Sequence, residues 1–117
     1  NEQLEISPKM FPLTIEKARV LRGLEKTIAA EEILRDALLR RNSDPSLWFL
    51  LSEIQKDNLN VAGYHQSRAE YFILLGQNER ALNELQFALK LSQGNFQTFE
   101  IIMTKINNLR EKLNKRI

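Results

Sequence analysis

From Phe11 onward, apolar residues return at intervals of three and four rather than two, which predicts helices and argues against strands. Six helices are expected. The first, at about 12–24, has Pro12 in its first turn and Ile15, Ala18, Leu21 and Leu24 on one face. Thr27 is positioned to cap the second, about 28–41, whose apolar face is Ile28, Ala30, Ile33, Leu34, Ala37 and Leu38. Asp44 followed by Pro45 is the clearest helix start, and opens a third helix at about 46–57 with Leu47, Trp48, Leu51 and Ile54. The fourth, about 61–75, carries Val61, Tyr64, Ala69, Phe72 and Leu75 and ends at Gly76, with Asn78 expected to cap the next. The fifth, about 79–91, shows Ala81, Leu82, Leu85, Ala88, Leu89 and Leu91, and Gly94 is expected to end it. Asn95 then starts a longer sixth helix, about 96–115, with Phe99, Ile102, Ile106, Leu109 and Leu113 in one stripe. Residues 1–10 lack periodicity and read as a lead-in, so 11–117 is expected to form one domain.

These helices begin close to 11, 28, 45, 62, 79 and 96, a step of 17 residues. Two such steps make 34, the period of the tetratricopeptide repeat, in which stacked helix pairs share one continuous core. Started at Ala62, the repeat motif finds Ala69, Phe72, Gly76, Ala81, Leu85 and Ala88 at its expected positions. Started at Pro45, it finds Trp48, Leu51 and the small Ser52. Started at Phe11, it finds Ala18, Leu21, Ala30, Leu34 and Ala37, with Glu25 where a Gly is usual. The third and fourth helices therefore both look like the first of a pair, although a solenoid must alternate. The fold class expected is all-α, a tetratricopeptide-like solenoid of about six antiparallel helices whose longer last helix caps the array.

Two segments, DPSLWFLLSEI at 44–54 and YHQSRAEYFILLGQNERALNELQFALKL at 64–91, narrow the comparison. They resemble the C-terminal repeat region of BepA-like periplasmic zinc metallopeptidases, as does MTKINNLREKL at 103–113. The resemblance covers 44–113 well and 11–43 loosely. It implies a non-catalytic repeat domain in the bacterial periplasm or cell envelope. Such a domain docks on its own protease domain and engages substrates or outer-membrane assembly proteins. The zinc-binding HExxH motif of the protease would lie elsewhere, since it is absent here. The alternative is a stand-alone adaptor unrelated to a protease.

Composition adds limits. The chain's 117 residues, 43% of them hydrophobic, can form a core without metal or disulfide staples. Four Gly and three Pro are too few for a turn-rich sheet protein. With one His and no Cys, the sequence offers neither a His-pair nor a thiolate zinc site, and no cofactor is expected in this chain. No spacing suggests a nucleophile with its base, so no catalytic residue is assigned. No apolar run reaches the ~20 residues of a membrane span. Net charge is +2, and Lys105, Arg110, Lys112, Lys115 and Arg116 against Glu111 put +4 of it at the C-terminus, leaving residues 1–104 slightly acidic. That balance disfavours nucleic acid and leaves a protein or peptide as the expected partner. Candidate groove residues are Arg19, Arg22, Phe49, Glu53 and Lys56. Trp48 and His65 are expected to be structural. The Lys and Asn that clamp a C-terminal carboxylate in chaperone-type repeats are replaced by Ile15 and Arg19, Phe49 and Glu53, and Gln66 and Glu70. A monomer is expected rather than a dimer through the sixth helix.

Overall fold

Connections of only three or four residues turn six helices back on one another, so each packs against its neighbours in sequence. The computed structural model describes residues 10–115, with side chains from Leu13 onward. The helices are α1 (Met10–Gly23), α2 (Thr27–Arg40), α3 (Pro45–Asp57), α4 (Val61–Leu74), α5 (Asn78–Leu91) and α6 (Phe96–Asn114). No strand occurs among the described residues. The architecture is all-α, and α6, at 19 residues, is the longest element. Every expected helix is present, with ends displaced by two residues at most. The expected lead-in falls outside the described residues except for Met10, which opens α1.

The connections are of two kinds. Those at 24–26, 58–60 and 75–77 share one geometry. In each, a residue with positive φ (Glu25 at 63°, Leu59 at 60°, Gly76 at 76°) closes the helix. The next amide reaches back five residues: Lys26 to Leu21, Asn60 to Gln55 and Gln77 to Phe72, each at 2.8 Å. This is the Schellman closure, and it is so tight that the same residue opens the following helix. The N-caps are therefore Lys26, Asn60 and Gln77. Thr27 and Asn78, expected as caps, are already the first helical residues, and neither Lys26 nor Gln77 supplies a side-chain cap. Asn60, not foreseen, does: its Oδ1 accepts from Gly63 N–H at 3.1 Å. The four-residue connections, 41–44 and 92–95, end in side-chain caps as expected, Asp44 on Ser46 N–H and Asn95 on Thr98 N–H. Gly94 does not close α5. That helix stops at Leu91, and Ser92 Oγ donates to the Ala88 carbonyl at 2.8 Å.

The apolar interior forms two clusters. One joins α1, α2 and α3 through Ala18, Ala30, Leu34, Ala37, Leu47, Leu51 and Ile54. The other joins α4, α5 and α6 through Ala69, Phe72, Ala81, Leu85, Ala88, Ile102, Ile106 and Leu109. Ala18, Ala30, Ala69, Ala81 and Ala88 are fully buried, which fits helices crossing at short separation over small side chains. Several expected core residues lie outside: Leu24, Ile28, Val61, Leu75 and Leu91 are all exposed, because each stands at or beside a helix end.

Between the two clusters, the α3–α4 contact includes a buried polar seam. Ser67 Oγ donates to Gln55 Oε1 at 2.6 Å, and both residues are about 2% exposed. Gln55 Nε2 reaches Glu31 Oε2 at 3.4 Å, and Asn58 Nδ2 donates to Glu31 Oε1 at 2.8 Å. Gly63 packs so closely here that a Cβ would stand 2.5 Å from Asn60 Nδ2 and 2.7 Å from Gln55 Nε2. Among the described residues, no buried side-chain polar atom lacks a partner.

Candidate interaction groove

The same helical periodicity that sends Leu47, Leu51 and Ile54 inward turns Ser46, Phe49, Glu53 and Asp57 to an adjoining face of α3, about 100° around the helix. α1 lies alongside α3 and presents Arg19, Arg22 and Gly23 towards the same space. Tyr71 and Leu75, near the C-terminal end of α4, complete the wall. Together they enclose an open groove of about 790 Å³, with α3 as its floor.

The groove has a charged end and an aromatic end. At the charged end, Arg22 Nε donates to Asp57 Oδ2 at 2.6 Å and Nη2 to Oδ1 at 3.4 Å, while Glu53 lies 3.9 Å from Nη2. The hydrogen bond to Asp57 raises the Arg22 pKa; partial burial opposes this, and the charges of Asp57 and Glu53 add to it. At this exposure the pair contributes on the order of 1 kcal/mol at most, so its main effect is to tie the ends of α1 and α3 together. Arg19 is exposed and makes no ion pair or hydrogen bond among the described residues. At the aromatic end, Phe49 is 44% exposed and packs on Tyr71 with ring centroids 5.4 Å apart.

Of the five candidate groove residues, Arg19, Arg22, Phe49 and Glu53 line this space. Lys56 does not: it is exposed on α3, turned away from the groove by its position one residue before Asp57. The lining also includes Asp57 and Tyr71, which were not singled out in the sequence. Asp57 was findable as the residue one turn beyond Glu53, whereas Tyr71 was not, because it sits on α4, which no local pattern places beside α1. The third helix, not the fourth, floors the groove. Glu70 of α4 faces away, paired with Lys105 of α6.

The remaining residues of interest lie outside this groove. Trp48 is half-buried against the first cluster, and its Nε1 donates to the Asn42 carbonyl at 2.8 Å. It also borders a second concavity of about 520 Å³ on the opposite face, between α2, α3, α4 and α6. His65 Nδ1 lies 2.7 Å from Glu84 Oε1, and its ring stacks on Phe87 at 5.2 Å. Leu51, Ala69, Phe72, Ala81, Leu85 and Ala88 are buried, and Gly76 occupies its left-handed turn. Among the described residues, no group of three or more His, Cys, Asp or Glu side chains is placed to hold a metal ion, and no helix is long and apolar enough to cross a membrane. Comparison with protein-family models, curated proteins and solved structures finds no match to the chain.

Proposed function

We propose that this chain is a protein-interaction module that holds a segment of another protein in the α1–α3 groove. The observation that carries the reading is an aromatic pair, exposed Phe49 packed on half-buried Tyr71, set beside Arg19, Arg22, Glu53 and Asp57 in one open channel. Exposed aromatic anchors ringed by polar groups are what binding hot spots are built from. The groove residues of α1 and α3 recur at the tetratricopeptide spacing, Arg19 and Glu53 being 34 residues apart, which supports assignment to that repeat type. The Schellman closures at Glu25 and Leu59 keep the same 34-residue interval.

Within this reading, the resemblance of 44–113 to BepA-like metallopeptidases makes the chain the non-catalytic repeat domain of an envelope zinc peptidase. It would dock on the protease domain and present the groove to substrates or outer-membrane assembly proteins, with zinc held by the protease domain alone. A peptide library displayed on phage and selected on the immobilised chain tests the interaction role. Selected peptides are expected to lose about 2 kcal/mol of binding to Phe49→Ala while its thermal midpoint stays near that of the parent. Binders indifferent to Phe49 and Glu53 would remove the groove from the proposal. The peptidase assignment is tested separately, by whether the reading frame containing this segment encodes a signal peptide and HExxH.

A further inference from the structure

We infer that the groove selects an extended segment in which a large apolar side chain and a side-chain carboxylate stand two residues apart. The inference rests on the groove being the binding surface. Its starting point is the unequal state of the two groove arginines. Arg22 is held by Asp57 through two nitrogens and approached by Glu53, so its charge is already answered. Arg19 has no partner among the described residues and is exposed on the same wall. An incoming anion therefore finds one available guanidinium, and charge-assisted bonds to Arg favour carboxylates.

The spacing follows from the helices. Arg22 meets Asp57 and Glu53, offsets of 35 and 31 residues, so one turn earlier Arg19 comes level with the stretch from Leu50 to Ile54. Phe49 precedes that stretch by one to five residues, about 1.5–7.5 Å along α3. In an extended peptide, side chains on the same side recur every second residue, about 6.6 Å apart. A Phe or Leu seated on the Phe49–Tyr71 pair thus brings a carboxylate two residues away to Arg19. A C-terminal carboxylate is not the expected anion, because the Lys and Asn that would clamp one are replaced by Phe49 and Glu53.

The test uses fluorescein-labelled nonapeptides with blocked termini, a Gly-Ser frame and Phe-Ser-Asp at the centre, read by anisotropy. Replacing Asp with Asn should weaken binding about tenfold, as expected for loss of one charge-assisted bond of ~1.4 kcal/mol. Moving Asp next to Phe should have the same effect. In Arg19→Ala the Asp and Asn peptides should bind equally, and this variant should fold normally because the side chain it removes is exposed and unbonded. If the Asn peptide binds the parent chain as well as the Asp peptide, yet binding still needs Phe49, the groove reading stands and the acidic preference is overturned. The preference is also overturned if the Asp advantage persists in Arg19→Ala, or if a peptide ending in a free carboxylate after Phe-Ser binds more tightly. If no Phe-containing probe depends on Phe49, the groove reading and this inference fall together.

Discussion

Three residues share one backbone conformation, but only one of them is a glycine. Glu25, Leu59 and Gly76 each close a helix with positive φ, and the left-handed region costs a side chain on the order of 1 kcal/mol. Leu59 is 83% exposed, so Leu59→Gly removes that strain without opening the core. It should raise the free energy of unfolding by up to about 1 kcal/mol, while Gly76→Ala should lower it by a similar amount. This explains why Gly76 was legible in the sequence and the other two turns were not, since Glu and Leu give no turn signal. Gly63 is the opposite case, a glycine demanded by packing. Gly63→Ala drives a methyl group into the Asn60 and Gln55 amides and should cost about 1–3 kcal/mol, whereas Gly23→Ala, with nothing within 4 Å, should be nearly silent. Urea titrations of the pair check this. Glu31 sets a pH dependence. Burial pushes its pKa up, but hydrogen bonds from Asn58 and Arg35, the Arg35 charge and the Gln55 amide outweigh it and hold the carboxyl below its ordinary 4.5. A depressed folded pKa gives stability that is present above about 4.5 and is lost as pH falls through the folded value. Thermal melts from pH 6 to pH 3 should therefore drop more steeply for the parent chain than for Glu31→Gln.

At the scale of the helices, periodicity fixed positions well and weights less well. Asp44, Pro45 and Asn95 announce their helices because a short polar side chain bonding first-turn amides is a local event. The last helix shows where local reasoning stops. Its stripe of Phe99, Ile102, Ile106, Leu109 and Leu113 is visible in the sequence, but the depth at which each member is buried is not. Leu113 is only half-buried, whereas Leu109 is 3% exposed and belongs to the second cluster. Truncation after Asn108 should cost about 2–5 kcal/mol, close to the effect of Leu109→Ala alone. Lys105, on the polar side of the stripe, pairs with Glu70 of α4. Ala88→Leu should overpack the α4–α5 crossing by about 1–3 kcal/mol, with Glu79→Gln, on an exposed first turn, as the silent control. Chemical denaturation of the four variants against the parent reads all of these effects.

At the scale of the molecule, the puzzle of two consecutive first-type helices is resolved by the order of connections. α4 ends in the same three-residue closure as α1 and α3, where a strictly alternating array would place a four-residue connection. Its sequence therefore looks like a first helix, while it meets α3 through Tyr71 on Phe49 and α6 through Glu70 on Lys105. No single-helix pattern can show this, because packing is decided by the neighbours on both sides. We expect the chain to be monomeric, with light scattering giving one mass across concentrations. A dimer broken by Ile101→Ser, on the exposed side of α6, would make that helix an association surface. The buried Gln55–Ser67 bond bears on how two apolar units find one alignment. Leu, Ile and Ala surfaces tolerate sliding, since neighbouring turns of a greasy face are nearly equivalent. A one-turn slip of α4 along α3, about 5.4 Å, would part the Gln55 amide from the Ser67 hydroxyl and move Gly63 away from the Gln55 side chain it packs against. The seam acts as a key between two otherwise permissive surfaces: it adds little to adhesion, yet it makes every misaligned assembly of the two halves expensive.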